Sequence, residues 1–520
     1  MKILRLIVLI ILVAAGLWRF RELDRDPPVI SASAGEWMDP GTYLYNARNF
    51  LRSHDWAPVN RHGLSVAPGF VLLATVWGSV FGSGYAGFVS LSVICGFIAA
   101  AATAYIAWRA GRISPLVTLF PFAISYTYFC FQRVPKGDME TLAVSSLAAA
   151  FLVGLENNRR ASLLAFAGGV LAGLAPFMKL FGILFSLACG AAWLIRPLIL
   201  NDSWDKPWRK ATWWFVLGLA STVLLWLGWA FWLKDLGLGK LTDYAGAVTE
   251  TVTGSGVTFG VARFIQSNLS YRQPVEALLV ALAVGRLLFF RRWSWPVLFC
   301  AVWLMTGVAA VAFMPYAPTR YRLLFIPPAI VLASLYWSDL AAGRAATLSL
   351  GKSIVVYGLG AWATFQSVAY FCENHPGWSL PYGGLSWQVF CVLLLTCSLW
   401  LIFERAGQRT LSVVLAALMI VLAIPQWWYG ENATGYALKT LAADAERAYP
   451  HAVLFGGWGQ EVALWSNLST PSHLAPIPPN GIVIEEAHLF DTFHLSEEWA
   501  EVRRVPLRAF GQTIVIATHR

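Results

Sequence analysis

The run GYAGFVSLSVICGFIAAAATAYIAW (Gly84–Trp108) holds 25 residues and no charged side chain. As a helix it would rise about 37 Å, enough to cross the ~30 Å hydrocarbon core of a bilayer. Similar apolar runs follow near 114–130, 139–154, 162–178 and 180–198, then near 212–233, 274–290 and 294–313, and finally near 323–339, 353–371, 385–402 and 410–428. Ile3–Leu17, preceded by Lys2 and interrupted by Arg5, reads as a retained first helix with its N-terminus in the cytoplasm. Only helices and closed barrels satisfy every backbone group inside lipid. The expected fold class is therefore an all-α polytopic membrane protein with about thirteen transmembrane helices.

Composition agrees with that reading. Of 520 residues, 58% are hydrophobic and only 13% charged, with a mean hydropathy of +0.59. Soluble globular chains carry about 25% charged residues, so a soluble enzyme, a disordered chain and a nucleic-acid-binding domain are excluded. The net charge of +10 belongs to basic loops near anionic headgroups, and no nucleic-acid partner is expected. The seven cysteines fall mostly within apolar runs, without metal-ligand or disulfide spacing.

The run Ala67–Phe81 decides the topology. If it enters the membrane only partway, the short basic connections Arg109/Arg112, Arg159/Arg160, Lys206/Arg209/Lys210, Arg291/Arg292, Arg344/Lys352 and Arg405/Arg409 all face the cytoplasm. The same parity places the 19–66 segment, Arg133–Asp138, the 234–272 loop and Arg320–Arg322 together outside. Residues 1–428 form the membrane domain in this reading. From 429 to 520 the chain becomes mixed and water-compatible. Strand-like runs at Ala452–Phe455, Gly481–Ile484 and Gln512–Ala517 alternate with helix-like Leu438–Ala448 and Glu497–Arg503. This predicts a small α/β domain on the outer face. Gly456-Gly457-Trp458-Gly459 within it lacks the spacing of a phosphate cradle.

Charges at the membrane edge are costly and so are functional candidates. In Trp37-Met38-Asp39-Pro40-Gly41-Thr42-Tyr43, Asp39 before Pro40 suits an N-cap and first helical position. In Arg133-Val134-Pro135-Lys136-Gly137-Asp138, two cations precede an acid at the mouth of the next helix. Lys179 stands alone between two apolar runs, where snorkelling to the interface would also account for it. Arg320-Tyr321-Arg322 opens the run containing Pro327-Pro328. Acids and cations gathered on one membrane face suit an anionic lipid-linked substrate: cations hold phosphate, and a carboxylate accepts a proton from an attacking hydroxyl.

The order of these segments resembles the GT-C superfamily of membrane glycosyltransferases, in the branch of bacterial aminoarabinose transferases and protein O-mannosyltransferases. Asp39 through Ala47 is similar to the family's acidic first-loop motif and the aromatic-rich helix after it. Arg133 and Asp138-Met139 match its second loop. Lys179 is what remains of a Thr-Lys-Gly-Pro-like element, and Arg320-Tyr321-Arg322-Leu323 through Pro327 matches Arg-Tyr-x-Leu-x-x-x-Pro. One departure stands out: the family often has two adjacent acids, and here Pro40 replaces the second. No metal ligand is assigned and no cofactor is certain: a divalent metal stays open but weakly supported, since hard cations prefer several oxygen ligands.

The resemblance implies a GT-C-like fold and transfer of a sugar from a polyprenyl-phosphate donor. The acceptor would be a lipid, glycan or protein hydroxyl at the outer face of a bacterial inner membrane. Asp39 would be the general base of an inverting single displacement, with Asp138 orienting hydroxyls or supporting Asp39. Arg133, Lys136, Lys179, Arg320 and Arg322 would stabilise phosphate charge, and Tyr321 would position it. The alternative is a transporter or flippase, which would carry ionisable residues near mid-membrane and internal repeats. Here the charges cluster at the ends of runs, and no repeat is visible.

Overall fold

A computed structural model of the chain describes residues 2–28, 35–54, 56, 62–156, 158–200, 206–235, 273–289, 293–313, 319–343, 357–358, 361–362, 365, 394, 396–398, 410–424, 426–428, 435–470, 480–492, 495–507 and 512–519. Most of the expected 234–272 loop and of the runs at 353–371 and 385–402 lies outside the described residues. So do Asp55 and the basic connections Arg291/Arg292, Arg344/Lys352 and Arg405/Arg409.

Helices dominate. In chain order they are α1 (Lys2–Phe20), α2 (Gly35–Ser53), α3 (His62–Val66), α4 (Pro68–Phe81), α5 (Tyr85–Gly111), α6 (Pro115–Ile124), α7 (Tyr126–Gln132), α8 (Asp138–Val153), α9 (Ala161–Met178), α10 (Ile183–Leu200) and α11 (Lys206–Asp235). Helices Pro274–Phe289, Trp295–Phe313, Ile326–Ala341 and Thr410–Trp428 follow. Among the described residues, six helices are long and apolar enough to cross a membrane. α4, the run on which the topology turns, has 14 residues and rises about 21 Å, short of the ~30 Å core.

Small residues let these helices approach closely. Gly169 and Gly218 lie where α9 meets α11, and a Cβ on either would come within 2.3 Å of a facing backbone oxygen. Such close crossings gain dispersion contacts, which in lipid replace the hydrophobic effect as the driving force. α11 exposes Trp213, Leu217, Leu224 and Phe231, an apolar face suited to lipid.

The tail folds around a four-stranded sheet, β1 (Val453–Phe455), β2 (Gly481–Glu486), β3 (Trp499–Leu507) and β4 (Gln512–His519), in the order β1-β2-β4-β3. β1 runs parallel to β2; β4 is antiparallel to both β2 and β3. β2 is apolar at successive positions because both faces are covered. Ile482 and Ile484 join Leu438, Trp458 and Val462 on one side, while Val483 joins Phe490 and Trp499 on the other. The expected helix at Glu497–Arg503 is instead the edge strand β3, with a bulge between Glu501 and Arg503. Its charges suggested a solvated helix; pairing with β4 overrides that propensity, and charges on an edge strand discourage pairing with another chain.

This sheet domain is fastened to the first loop by polar contacts. Asp26 accepts from the N–H groups of Ala437 (2.6 Å) and Leu438 (3.0 Å), capping the helix Ala437–Ala448. Arg48 on α2 donates to the Leu468 carbonyl (2.5 Å), and Arg52 to that of Ser466 (3.1 Å). Both cations meet the chain just past the C-terminal end of the helix Gly457–Trp465, where the helix dipole favours positive charge. Burial pushes the Arg48 guanidinium down to about 9.

Candidate active site

α2 begins at Gly35, so Pro40 is the sixth helical residue rather than the first, and Asp39 is not the N-cap. At this position proline lacks the N–H that would have bonded the Glu36 carbonyl, so the helix is one hydrogen bond short beside Asp39. Asp39 is one-fifth exposed; its Oδ2 lies 2.7 Å from Arg320 Nη1 and 3.6 Å from Lys136 Nζ. Arg320 is likewise part-exposed, whereas Lys136 is fully buried.

Behind this pair lies a second one. Lys179 follows the last residue of α9 in extended backbone and turns inward. Its Nζ donates to Asp138 Oδ1 (2.9 Å) and to the Lys136 carbonyl (2.8 Å), over the Tyr43 ring at 4.3 Å. Lys179 is therefore not snorkelling. Asp138 opens α8 but makes no capping bond; its carboxylate is committed to Lys179, and Oδ2 is buried with no hydrogen-bond partner among the described residues. The turn that sets Lys136 and Asp138 on either side of one residue needs Gly137, whose φ is +86°.

Asp39, Lys136, Asp138, Lys179 and Arg320 thus converge from four separate segments. Tyr321 flanks them, stacking on Phe181 at 5.2 Å next to Lys179. Two candidates point elsewhere. Arg133 donates to the carbonyls of Arg21 (2.6 Å) and Glu22, at and just past the end of α1, where exposed carbonyls attract a cation. Arg322 reaches Gln273 Oε1 at 3.5 Å. The segment Thr319–Phe325 is a 3₁₀ helix, so successive side chains diverge by about a third of a turn, and Arg320 and Arg322 cannot share a target.

Among the described residues no three His, Cys, Asp or Glu side chains gather as a metal-binding group. An apolar groove of about 610 Å³ lies between α1, α6 and Thr410–Trp428, lined by Ile11, Trp18, Ile124, Ile420 and Trp427. None of the five converging residues lines it.

Two contacts could not be found from the sequence. Tyr43 was legible as one helical turn after Asp39, yet its role as a cover for Lys179 needed a partner 136 positions away. Glu461, in the middle of the helix Gly457–Trp465, is fully buried and accepts from the Gly41 N–H at 2.6 Å. Burial pushes its carboxyl up to about 8; the Trp465 and Gly41 donors oppose that rise, and the charges of Asp39 and Asp26 add to it.

No protein-family model matches the chain, and no curated protein matches it. Among solved structures it is similar to ArnT from Cupriavidus metallidurans in the apo state, with a TM-score of 0.62 at 14% identity, over 98% of this chain and 97% of that one. The same protein bound to undecaprenyl phosphate gives 0.62 at 15% identity over the same shares. At such identity the shared property is the fold, a helical membrane part with a small sheet-containing tail, as expected from the sequence.

Proposed function

We propose that the protein is an integral-membrane glycosyltransferase that moves a sugar from a polyprenyl-phosphate-linked donor to an acceptor hydroxyl at the outer face of a bacterial inner membrane. The observation that carries this reading is the part-exposed Asp39 held by Arg320 and Lys136 in front of the buried Lys179–Asp138 pair. A solvated carboxylate beside fixed cations is what a base needs next to a leaving phosphate. The fold similarity to a protein solved with undecaprenyl phosphate supports the donor class.

In the resting site Arg320 neutralises Asp39. A donor phosphate would compete for Arg320 and Lys136, because guanidinium and ammonium groups bind phosphate oxygens through charge-assisted hydrogen bonds. Asp39, released, accepts the proton of the acceptor hydroxyl as that oxygen attacks the anomeric carbon. The bond from that carbon to the phosphate oxygen breaks, its electron pair stays with the lipid phosphate, and the anomeric centre inverts. Asp138 Oδ2, buried and without a partner among the described residues, is available to orient a sugar hydroxyl. The buried acids Glu140 and Glu276 sit in first helical turns, at helix ends rather than mid-span, which does not favour a transporter.

The test is release of undecaprenyl phosphate from a panel of undecaprenyl-phosphate sugars by the purified protein with envelope extract as acceptor. Asp39→Asn keeps an oxygen for Arg320 but cannot act as a base. It should lower turnover about 10²–10⁴-fold while undecaprenyl phosphate still binds. Near wild-type turnover by Asp39→Asn at saturating donor would remove Asp39 from the mechanism.

A further inference from the structure

The sheet domain touches α2 two residues from Asp39. Proline has no N–H, so at Pro40 the backbone of α2 loses a donor one residue beyond Asp39. At the next residue, the Gly41 N–H donates to Glu461 Oε2 at 2.6 Å. Glu461 Oε1 in turn accepts from Trp465 Nε1 at 3.0 Å, one turn further along the same helix. Trp465 stacks on Tyr85 with ring centroids 4.0 Å apart, and the Tyr85 hydroxyl donates to the Arg133 carbonyl at 2.8 Å. Arg133 begins the turn that carries Lys136 and Asp138, so this one helix of the sheet domain reaches both acid-bearing segments of the site.

The fit is close enough to be specific. A Cβ at Gly41 would lie 2.4 Å from the Glu461 nitrogen and 2.6 Å from its Cα, so the backbones of α2 and the docking helix touch at this residue. That contact needs glycine at 41, and it brings a side-chain acceptor from the sheet domain to the N–H that follows Pro40. Glu461 supplies it.

We infer that Glu461 is a positioning residue for Asp39, locking the Pro40–Gly41 peptide so that the Asp39 carboxylate stays within reach of Arg320 and the acceptor hydroxyl. This inference rests on the proposed role of Asp39 as base. In either protonation state Glu461 keeps an oxygen that accepts from Gly41, and a glutamine with its amide oxygen toward Gly41 keeps that acceptor while giving up the one for Trp465. Leucine has similar bulk and no acceptor.

The test compares Glu461→Leu with Glu461→Gln in the full-length protein. Misplacing a catalytic group by about 1 Å costs on the order of 10²-fold. Glu461→Leu should therefore lower kcat about 10–100-fold on the undecaprenyl-phosphate sugar that supports turnover, with binding of undecaprenyl phosphate itself changed less than about twofold. Amide exchange at 39–45 should rise about tenfold or more. Glu461→Gln should restore kcat to within about threefold and return exchange at 39–45 to the wild-type rate. Asp26→Ala uncaps the helix Ala437–Ala448 without touching Gly41, and should speed exchange at 437–440 while leaving 39–45 and kcat unchanged.

Unchanged exchange at 39–45 in Glu461→Leu overturns the positioning role whatever the activity. It is overturned equally if Asp26→Ala lowers kcat as much as Glu461→Leu, because general docking would then be responsible. Should Glu461→Leu fail to fold, Glu461→Met, with unbranched bulk and no oxygen acceptor, takes its place; exchange at 39–45 no faster than wild type would then count against the role. Asp39→Asn measured alongside reports on the proposed function separately, since it removes the base without altering the Gly41–Glu461 bond.

Discussion

Replacing Lys179 with methionine removes a charge from a buried ion pair. The Lys179 and Asp138 side chains are 4% and 0% exposed and meet at 2.9 Å. Asp138 Oδ2 already has no hydrogen-bond partner among the described residues, so Lys179→Met strands a buried carboxylate. Breaking a buried pair by removing one partner costs about 3–5 kcal/mol. Replacing both partners with neutral groups of similar shape is often close to neutral. Lys179→Met and Asp138→Asn should each therefore lower unfolding free energy by about 3–5 kcal/mol. The double variant should lose less than either alone. The cycle would then show a coupling of more than about 3 kcal/mol, at the top of the range for groups in contact. Equilibrium unfolding in mixed micelles measures stability, and undecaprenyl phosphate release measures turnover. Stability should return in the double variant, but turnover should not, because the hydroxyl contact proposed for Asp138 is gone. Additive single-variant losses, with no coupling, would show that water or another cation screens the pair and would refute the reasoning.

Glu461, with its carboxyl pushed from 4.5 to about 8, binds more protons folded than unfolded across that window. Its stabilising contribution is full below about pH 4.5 and is lost as pH rises through 8, at up to about 1.4 kcal/mol per pH unit. Glu461→Gln should flatten the fall of stability with pH seen in the wild type, and parallel curves from pH 5 to 8 would count against a buried neutral acid. Arg48→Met leaves the buried Leu468 carbonyl without its guanidinium donor, costing about 1–3 kcal/mol. Limited proteolysis should then release the sheet domain sooner, and an unchanged rate would mean that Arg52 suffices. Gly137→Ala must hold φ near +86° with a Cβ 3.2 Å from Phe70 Cγ, at a cost of about 1–2 kcal/mol. It should lower turnover more than melting temperature, since Lys136 and Asp138 flank the turn; equal turnover in both proteins would show that the turn tolerates the strain.

Local chemistry was enough for the elements. A charge-free run such as Gly84–Trp108 has one stable form in lipid, and α5 occupies nearly those bounds as Tyr85–Gly111. The strands at 453–455, 481–486 and 512–519 were visible as short apolar runs, because strand periodicity is local too. Glu497–Arg503 misled because an edge strand carries the charges of a solvated helix, and only pairing with β4 distinguishes them. At the site the sequence marked the charged residues by their cost near a membrane, and could go no further. Side-chain direction depends on neighbours far along the chain: α1 ends beside Arg133 and draws it away, and a 3₁₀ turn separates Arg320 from Arg322. Glu461 looked like one more acid in a mixed tail. Docking against α2 buries it and brings it to Gly41, 420 positions away, because a hydrogen bond depends on separation in space and is blind to distance along the chain.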